Sequence, residues 1–284
     1  MSAAQEFHYR LPQRVGGHRP GSHAGTALGA GLEFATHMSL LDRPDPRRLD
    51  VRTSVRSLSH EWLVRVNRQR TGVAVYALVD VSASMSFGTP KPKLHVAADF
   101  VESLGMSAFR VGDAFGLSAF DNEERTDWYT PARLSRGAGS FAASRLREYR
   151  GRAGSIAGLA SAAERLVGQD GLVFLISDFH WPLQHLGTIL DVLAHAYVVP
   201  IVIWDPTETR PPTRNAIAPL ADVESGAHRT LWLRPSVRER WLDAVKERRV
   251  ELQELFAERS IRPFFIEGAF DPEAMSRYFY EGVA

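Results

Sequence analysis

Three apolar runs govern what this chain can become: VAVYALV leading into Asp80, GLVFLIS ending at Ser177, and YVVPIVIW ending at Trp204. Each has the length of a strand, and none alternates with polar residues, which is the mark of strands covered on both faces. Helical patterns lie between them. KLHVAADFVESLGMSAFRVG sets Leu94, Ala97, Val101, Leu104 and Ala108 at three-and-four spacing; SFAASRLREY, IAGLASAAERLVG (stopped at Gly168) and LGTILDVLAHA also read as helices. Alternating strands and helices predict an α/β fold, three-layer and Rossmann-like, around a mostly parallel sheet. DAFGLSAF adds a strand, RTDWYTP a short edge strand closed by Pro131, and IRPFFIEG a last strand. APLADVESGAHRTLWLRP reads as a hairpin turning near Ser225-Gly226. The long helix SVRERWLDAVKERRVELQELFAERS carries Trp241, Val245, Leu252 and Phe256 near one face, and DPEAMSRYFYEGV is a last helix.

Upstream of Val73 the texture differs. The first 25 residues, rich in Gly, His, Arg and Pro, read as a flexible arm, dispensable up to about Gly21. Residues 26–72 form a separate segment with an Arg-rich run from Arg43 to Arg70, in which EWLVRVNR alternates as a strand with Trp62, Val64 and Val66 on one face. Asp42, Asp45, Asp50 and Glu61 interleave that run, favouring ion pairs or a partner surface over phosphate binding. Residues 73–284 then make the α/β domain with its C-terminal hairpin and helix.

The chain has 284 residues, a net charge of +1 and no cysteine. That charge gives no drive toward nucleic acid or anionic membrane, and the lack of cysteine excludes disulfide scaffolds, thiol catalysis and Cys-based zinc sites. No apolar stretch reaches the ~20 residues of a membrane helix, so a cytoplasmic protein is expected.

Chemistry gathers at the ends of the strands. Asp80 and Asp178 each follow a buried run, and in a parallel sheet ligands bind outside the carboxyl ends of strands. Ser82 and Ser84 follow Asp80 at alternate positions, which lets an acid and two hydroxyls face one centre. The loop YRGRAGS delivers Ser155 to the same rim, whereas Ser86 has no assigned part and reads as turn filler. Two carboxylates and three hydroxyls make an all-oxygen set suited to a hard cation, Mg²⁺ first, with Mn²⁺ or Ca²⁺ as alternatives. His180, His185 and His195 are not spaced for one helical face, which argues against zinc. FGTPKPK is no phosphate-binding loop, LGAGLEF no dinucleotide fingerprint, and SMSFG no nucleophile elbow. No nucleophile is supplied with a base, so the chain is not expected to be an enzyme.

DVSASM resembles the D-x-S-x-S motif of von Willebrand factor type A domains, which build a metal-ion-dependent adhesion site. The resemblance puts Ser155 in the slot of a threonine and Asp178 in that of a second aspartate. GAGLEFATHMSLLDRPDPRRLDVRTSVRS, SMSFGTPKPKLHVAADF, LISDFH and IWDPTETRPP are similar to the domain-of-unknown-function 58 family, from roughly Gly25 to the C-terminus. It implies direct ligation by Ser82 and Ser84, with Asp80 and Asp178 acting mainly through water and through hydrogen bonds to those hydroxyls. It also implies a partner acid at the metal and a MoxR-type AAA+ ATPase as companion. The expected role is an adaptor or co-chaperone. A Mg²⁺-dependent phosphoester hydrolase and a structural subunit with an empty site are the alternatives.

Overall fold

The computed structural model describes residues 5–12, 20–29, 31–151, 156–212, 217–221 and 228–282. Two compact units divide the chain, one of Leu11–Val73 and one of Met1–Arg10 with Ala74–Ala284.

In the larger unit the solid apolar runs are the central strands. A six-stranded sheet has the order β11-β8-β7-β4-β5-β6, built from β4 (Ala74–Asp80), β5 (Ala114–Phe120), β6 (Thr130–Arg133), β7 (Gly171–Ser177), β8 (Tyr197–Trp204) and β11 (Phe264–Glu267). All neighbours run parallel except β6, the antiparallel edge. Pro131 lies within β6 rather than closing it, and an edge strand tolerates the missing N–H. Alternate residues of β7 separate the two covering layers. Val173 and Leu175 face a cluster with α4 (Gly158–Glu164), α5 (Leu186–Val192) and α7 (Pro235–Ala257). Phe174 faces Phe100 of α2 (Lys93–Val111) at 5.1 Å and Phe279 of α8 (Pro272–Glu281) at 6.3 Å. The helix α3 (Ala138–Glu148) and the four-residue α6 (Pro206–Thr209) complete the set, with β9 (Ile217–Ala221) and β10 (His228–Trp232) paired as an antiparallel hairpin. The expected turn at Ser225-Gly226 lies outside the described residues. The three-layer α/β sheet expected from the von Willebrand A resemblance is the one found.

The expectation of a flexible arm over the first 25 residues is corrected at two places. Phe7 is buried, stacking on Phe100 at 5.8 Å, and its backbone N–H donates to Ser107 Oγ at 2.9 Å. Tyr9 is buried as well and donates its hydroxyl to Asp113. Burial of two aromatic rings overrides the polar composition around them, so this segment is not dispensable.

In the smaller unit, Pro20–Gly29 forms β1, the second correction. It pairs with β3 (Leu63–Thr71), which also pairs with β2 (Glu33–Ser39), giving an antiparallel sheet β1-β3-β2. Val64 and Val66 are buried as the alternation predicts, but Trp62 is 55% exposed because the strand begins one residue after it. The Arg-rich run also contains a short helix α1 (Val51–Arg56), capped by Asp50, which accepts from the Thr53 N–H at 3.0 Å.

Candidate metal centre

Parallel pairing sets the site. Val79 lies opposite Ile176 in adjacent strands, so the next residues, Asp80 and Ser177, meet at one rim, with Asp178 following. Asp80, Ser82 and Asp178 are buried and Ser84 is half-buried. The backbone N–H of Ser82 donates to Asp80 Oδ1 at 2.9 Å, which folds the D-x-S turn back on its own acid. The hydroxyls of Ser82 and Ser84 lie 3.2 Å apart. Two ligands on adjacent vertices of a Mg²⁺ octahedron are about 3.0 Å apart, so this pair has the right spread. Ser155 lies outside the described residues. Its loop is nonetheless tied to the serine comb, because Gly151 donates its N–H to Ser86 Oγ at 2.8 Å. A Cβ on Gly151 would meet Ser82 O at 2.2 Å, which explains a glycine there and corrects the reading of Ser86 as filler.

Three groups escaped the sequence reading. Ser177 donates its hydroxyl to Asp80 Oδ2 at 2.6 Å and accepts from the Phe179 N–H and Trp181 Nε1, both at 3.0 Å. Lys93, the first residue of α2, is buried and donates Nζ to Asp178 Oδ2 at 2.6 Å and to Glu208 Oε1 at 2.8 Å. Glu208 sits in α6, where it closes a capping box with Asp205. The D-P-x-E spacing signals that box in the sequence, but nothing local signals the lysine pair, which joins residues 85 and 115 positions apart.

The two aspartates differ electrostatically. Burial, together with the charge of Asp178, pushes the Asp80 carboxyl up to about 7. Burial would push Asp178 up as well, but the Lys93 ammonium and then His180 hold it below its ordinary value. Lys93 stays above its own ordinary value, since Asp178 and Glu208 outweigh the effect of burial. Among the described residues no cationic side chain pairs with Asp80, and no three His, Asp or Glu side chains converge as a metal site. Among the described residues the rim thus offers two carboxylates and two serine hydroxyls, short of positive charge at Asp80. That is the chemistry a hard divalent cation fits.

The family model described as "Protein of unknown function DUF58" matches residues 44–251, and the chain belongs to that family. It is 25% identical over 261 residues to an uncharacterised protein of Mycobacterium tuberculosis, covering 88% of this chain and 79% of that protein. It is 30% identical over 95 residues to the uncharacterised protein in the moxR 3′ region of Paracoccus denitrificans, covering 34% of this chain and 90% of that one. Among solved structures it is similar to the conserved hypothetical protein BatB of Bacteroides thetaiotaomicron, with a TM-score of 0.44, 15% identity, and coverage of 74% of this chain and 98% of that one. No helix among the described residues is long and apolar enough to cross a membrane.

Proposed function

We propose that this protein is a cytoplasmic, metal-ion-dependent protein-binding adaptor or co-chaperone, acting with a MoxR-type AAA+ ATPase in the assembly or activation of a target complex. The observation that carries the proposal is the pair of buried aspartates at neighbouring strand ends, of which Asp178 pairs with Lys93 while Asp80 meets no cationic side chain among the described residues. Asp80, Ser82, Ser84 and Asp178 would hold Mg²⁺, or Mn²⁺ or Ca²⁺ in its place, and Ser155 is the further hydroxyl proposed for the set. The ion supplies an electrophilic position for a partner's carboxylate. With Lys93 offsetting Asp178, the metal faces one uncompensated carboxylate and keeps a net positive charge that an incoming Glu or Asp neutralises. The similarity to the moxR-region protein of Paracoccus denitrificans supports the choice of ATPase. The reading assigns no catalytic residue.

Calorimetric titration of Mg²⁺ into the wild type and Asp80→Asn tests the site, and capture of a co-expressed MoxR-type ATPase with and without chelator tests the partner. Saturable binding lost in the variant, with capture lost in both the variant and the chelated wild type, is expected. Capture indifferent to chelator and to Asp80 would overturn the adhesion mechanism.

A further inference from the structure

Beside the metal centre, between α6 and the first turns of α7, lies a cleft of about 350 Å³ lined by His180, Trp204, Glu208, Trp241, Val245 and Arg248. Most of its polar groups are already engaged within the protein. Trp204 Nε1 donates to Asp178 O at 2.9 Å, and Trp241 Nε1 donates to Glu208 O at 2.6 Å. An indole has one donor, so neither ring has a hydrogen bond left for a ligand. The Arg248 guanidinium donates to Phe179 O, to Trp181 O and to Glu251. Glu208 accepts from Lys93 and from the Asp205 N–H, and its other contact is His180 at 3.5 Å. His180 in turn stacks on Trp204 at 6.0 Å and 9°. What remains for an occupant is mostly ring faces and aliphatic carbon, with the exposed ring edge of His180 beside them, which selects a largely apolar group.

The cleft shares its wall with the metal centre. Glu208 and Asp178 accept from the same Lys93 ammonium, and His180 is two residues after Asp178. α7 explains the opening: Leu252 and Phe256 seal the core, while Trp241 and Val245, on the same stripe about three and two turns before Leu252, overhang the cleft.

We propose that this cleft receives a bulky apolar side chain, aromatic or branched aliphatic, from the same extended partner segment whose carboxylate reaches the metal. The link to the carboxylate rests on the adhesion-site reading, and the apolar preference rests on the cleft alone. Residues one or two positions apart along an extended chain span about 3.3–7 Å, and the two places are joined by Asp178 and Glu208, which meet the same ammonium at 2.6 and 2.8 Å.

The test uses short acetylated and amidated Gly/Ser peptides with one Glu, with Phe placed one or two residues to either side, and matching peptides with Gln for Glu. Binding to the whole protein is measured by calorimetry in saturating Mg²⁺ and in chelator. One Phe position is expected to tighten binding about tenfold or more over the Glu-only peptide. Trp241→Ala, and Ala244→Phe as a variant that fills the cleft from its exposed side, should each remove that increment and leave Mg²⁺ binding unchanged. No gain at any Phe position, an increment that survives both variants, or no binding by any peptide would overturn the proposal. Free indole binding as tightly as the best peptide would also overturn it, pointing to a small-molecule pocket. If the Phe increment persists without Mg²⁺ while the Glu-only peptide shows no binding in its presence, the adhesion-site reading fails and the apolar cleft stands.

Discussion

Asp80 at the end of β4 and Asp178 just past β7 are equally inaccessible to solvent and carry the same side chain. Their neighbours separate them. Asp178 meets Lys93 at 2.6 Å, whereas Asp80 meets hydroxyl and amide dipoles from Ser177 and Ser82. Dipoles stabilise a charge without cancelling it, so burial wins at Asp80 and its carboxyl rises to about 7, while Asp178 is held low. One carboxylate of the pair is thus offset by a cation, and among the described residues the other is not.

Removing the lysine would break that contrast most severely. Lys93→Met keeps all but the last atom of the side chain's length and leaves Asp178 buried without the lysine's charge, which costs about 3–5 kcal/mol of stability. Adding Asp178→Asn should recover much of the loss, because the stranded charge is gone. Urea unfolding at neutral pH measures both. A loss below about 1 kcal/mol in the single variant would mean that the pair is not desolvated as described.

The Asp80 side predicts a pH effect of opposite character. Its carboxyl has an ordinary value of 3.8 and a folded value of about 7, so between these the folded state binds a proton that the unfolded state has released. Stability present below the lower value is therefore lost as pH rises through about 7, by at most about 4 kcal/mol. In metal-free protein Asp80→Asn should remove this slope, becoming more stable than wild type above pH 7, less about 1 kcal/mol for the hydrogen bond its amide cannot accept. Denaturation across pH 4 to 8, taken as wild type minus variant, isolates the contribution. A flat difference would show that Asp80 is already compensated.

Metal should erase the asymmetry. Mg²⁺ at tenfold its dissociation constant stabilises the wild type by about 1.4 kcal/mol and should do nothing for Asp80→Asn. Thermal melts with added Mg²⁺ and with chelator compare the two, and equal stabilisation of both would place the ion elsewhere.

Much of this architecture is legible in the residues. Uninterrupted runs such as GLVFLIS announce buried strands because a strand covered on both faces has no polar side, and Asp80 and Asp178 announce themselves by ending such runs. Lys93 is not legible, since its position opening an amphipathic helix is an ordinary place for a solvated lysine, and only its meeting with Asp178 after β7 and Glu208 after β8 turns it inward. Phe7 and Tyr9 were hidden in another way. Their alternation, Phe7-His8-Tyr9-Arg10-Leu11, is a single five-residue stretch beside the Gly, His and Arg that follow, and their partners Phe100 and Asp113 lie more than ninety residues on. β1 alternates in burial, but its inward positions are His23, Gly25 and Ala27 and so carry no strong apolar signal, while β2 is only partly buried throughout.

The smallest effect concerns Ser177, which mediates between the halves. Its hydroxyl donates to Asp80 and accepts from the Phe179 N–H and Trp181 Nε1, so every hydrogen-bonding position it has is filled. Ser177→Ala takes a dipole from the Asp80 carboxylate and an acceptor from two donors. The second loss is the same at every pH and costs on the order of 1 kcal/mol. The first acts on the charged carboxylate, so it adds to the loss only where Asp80 is ionised. It also lifts the Asp80 carboxyl further, moving the fall in stability to higher pH. The variant should therefore be destabilised more at pH 8 than at pH 5, with the gap closing in the Asp80→Asn background. An equal loss at both pH values would assign Ser177 to the Trp181 turn alone and leave Asp80 supported by the hydroxyl and amide of Ser82.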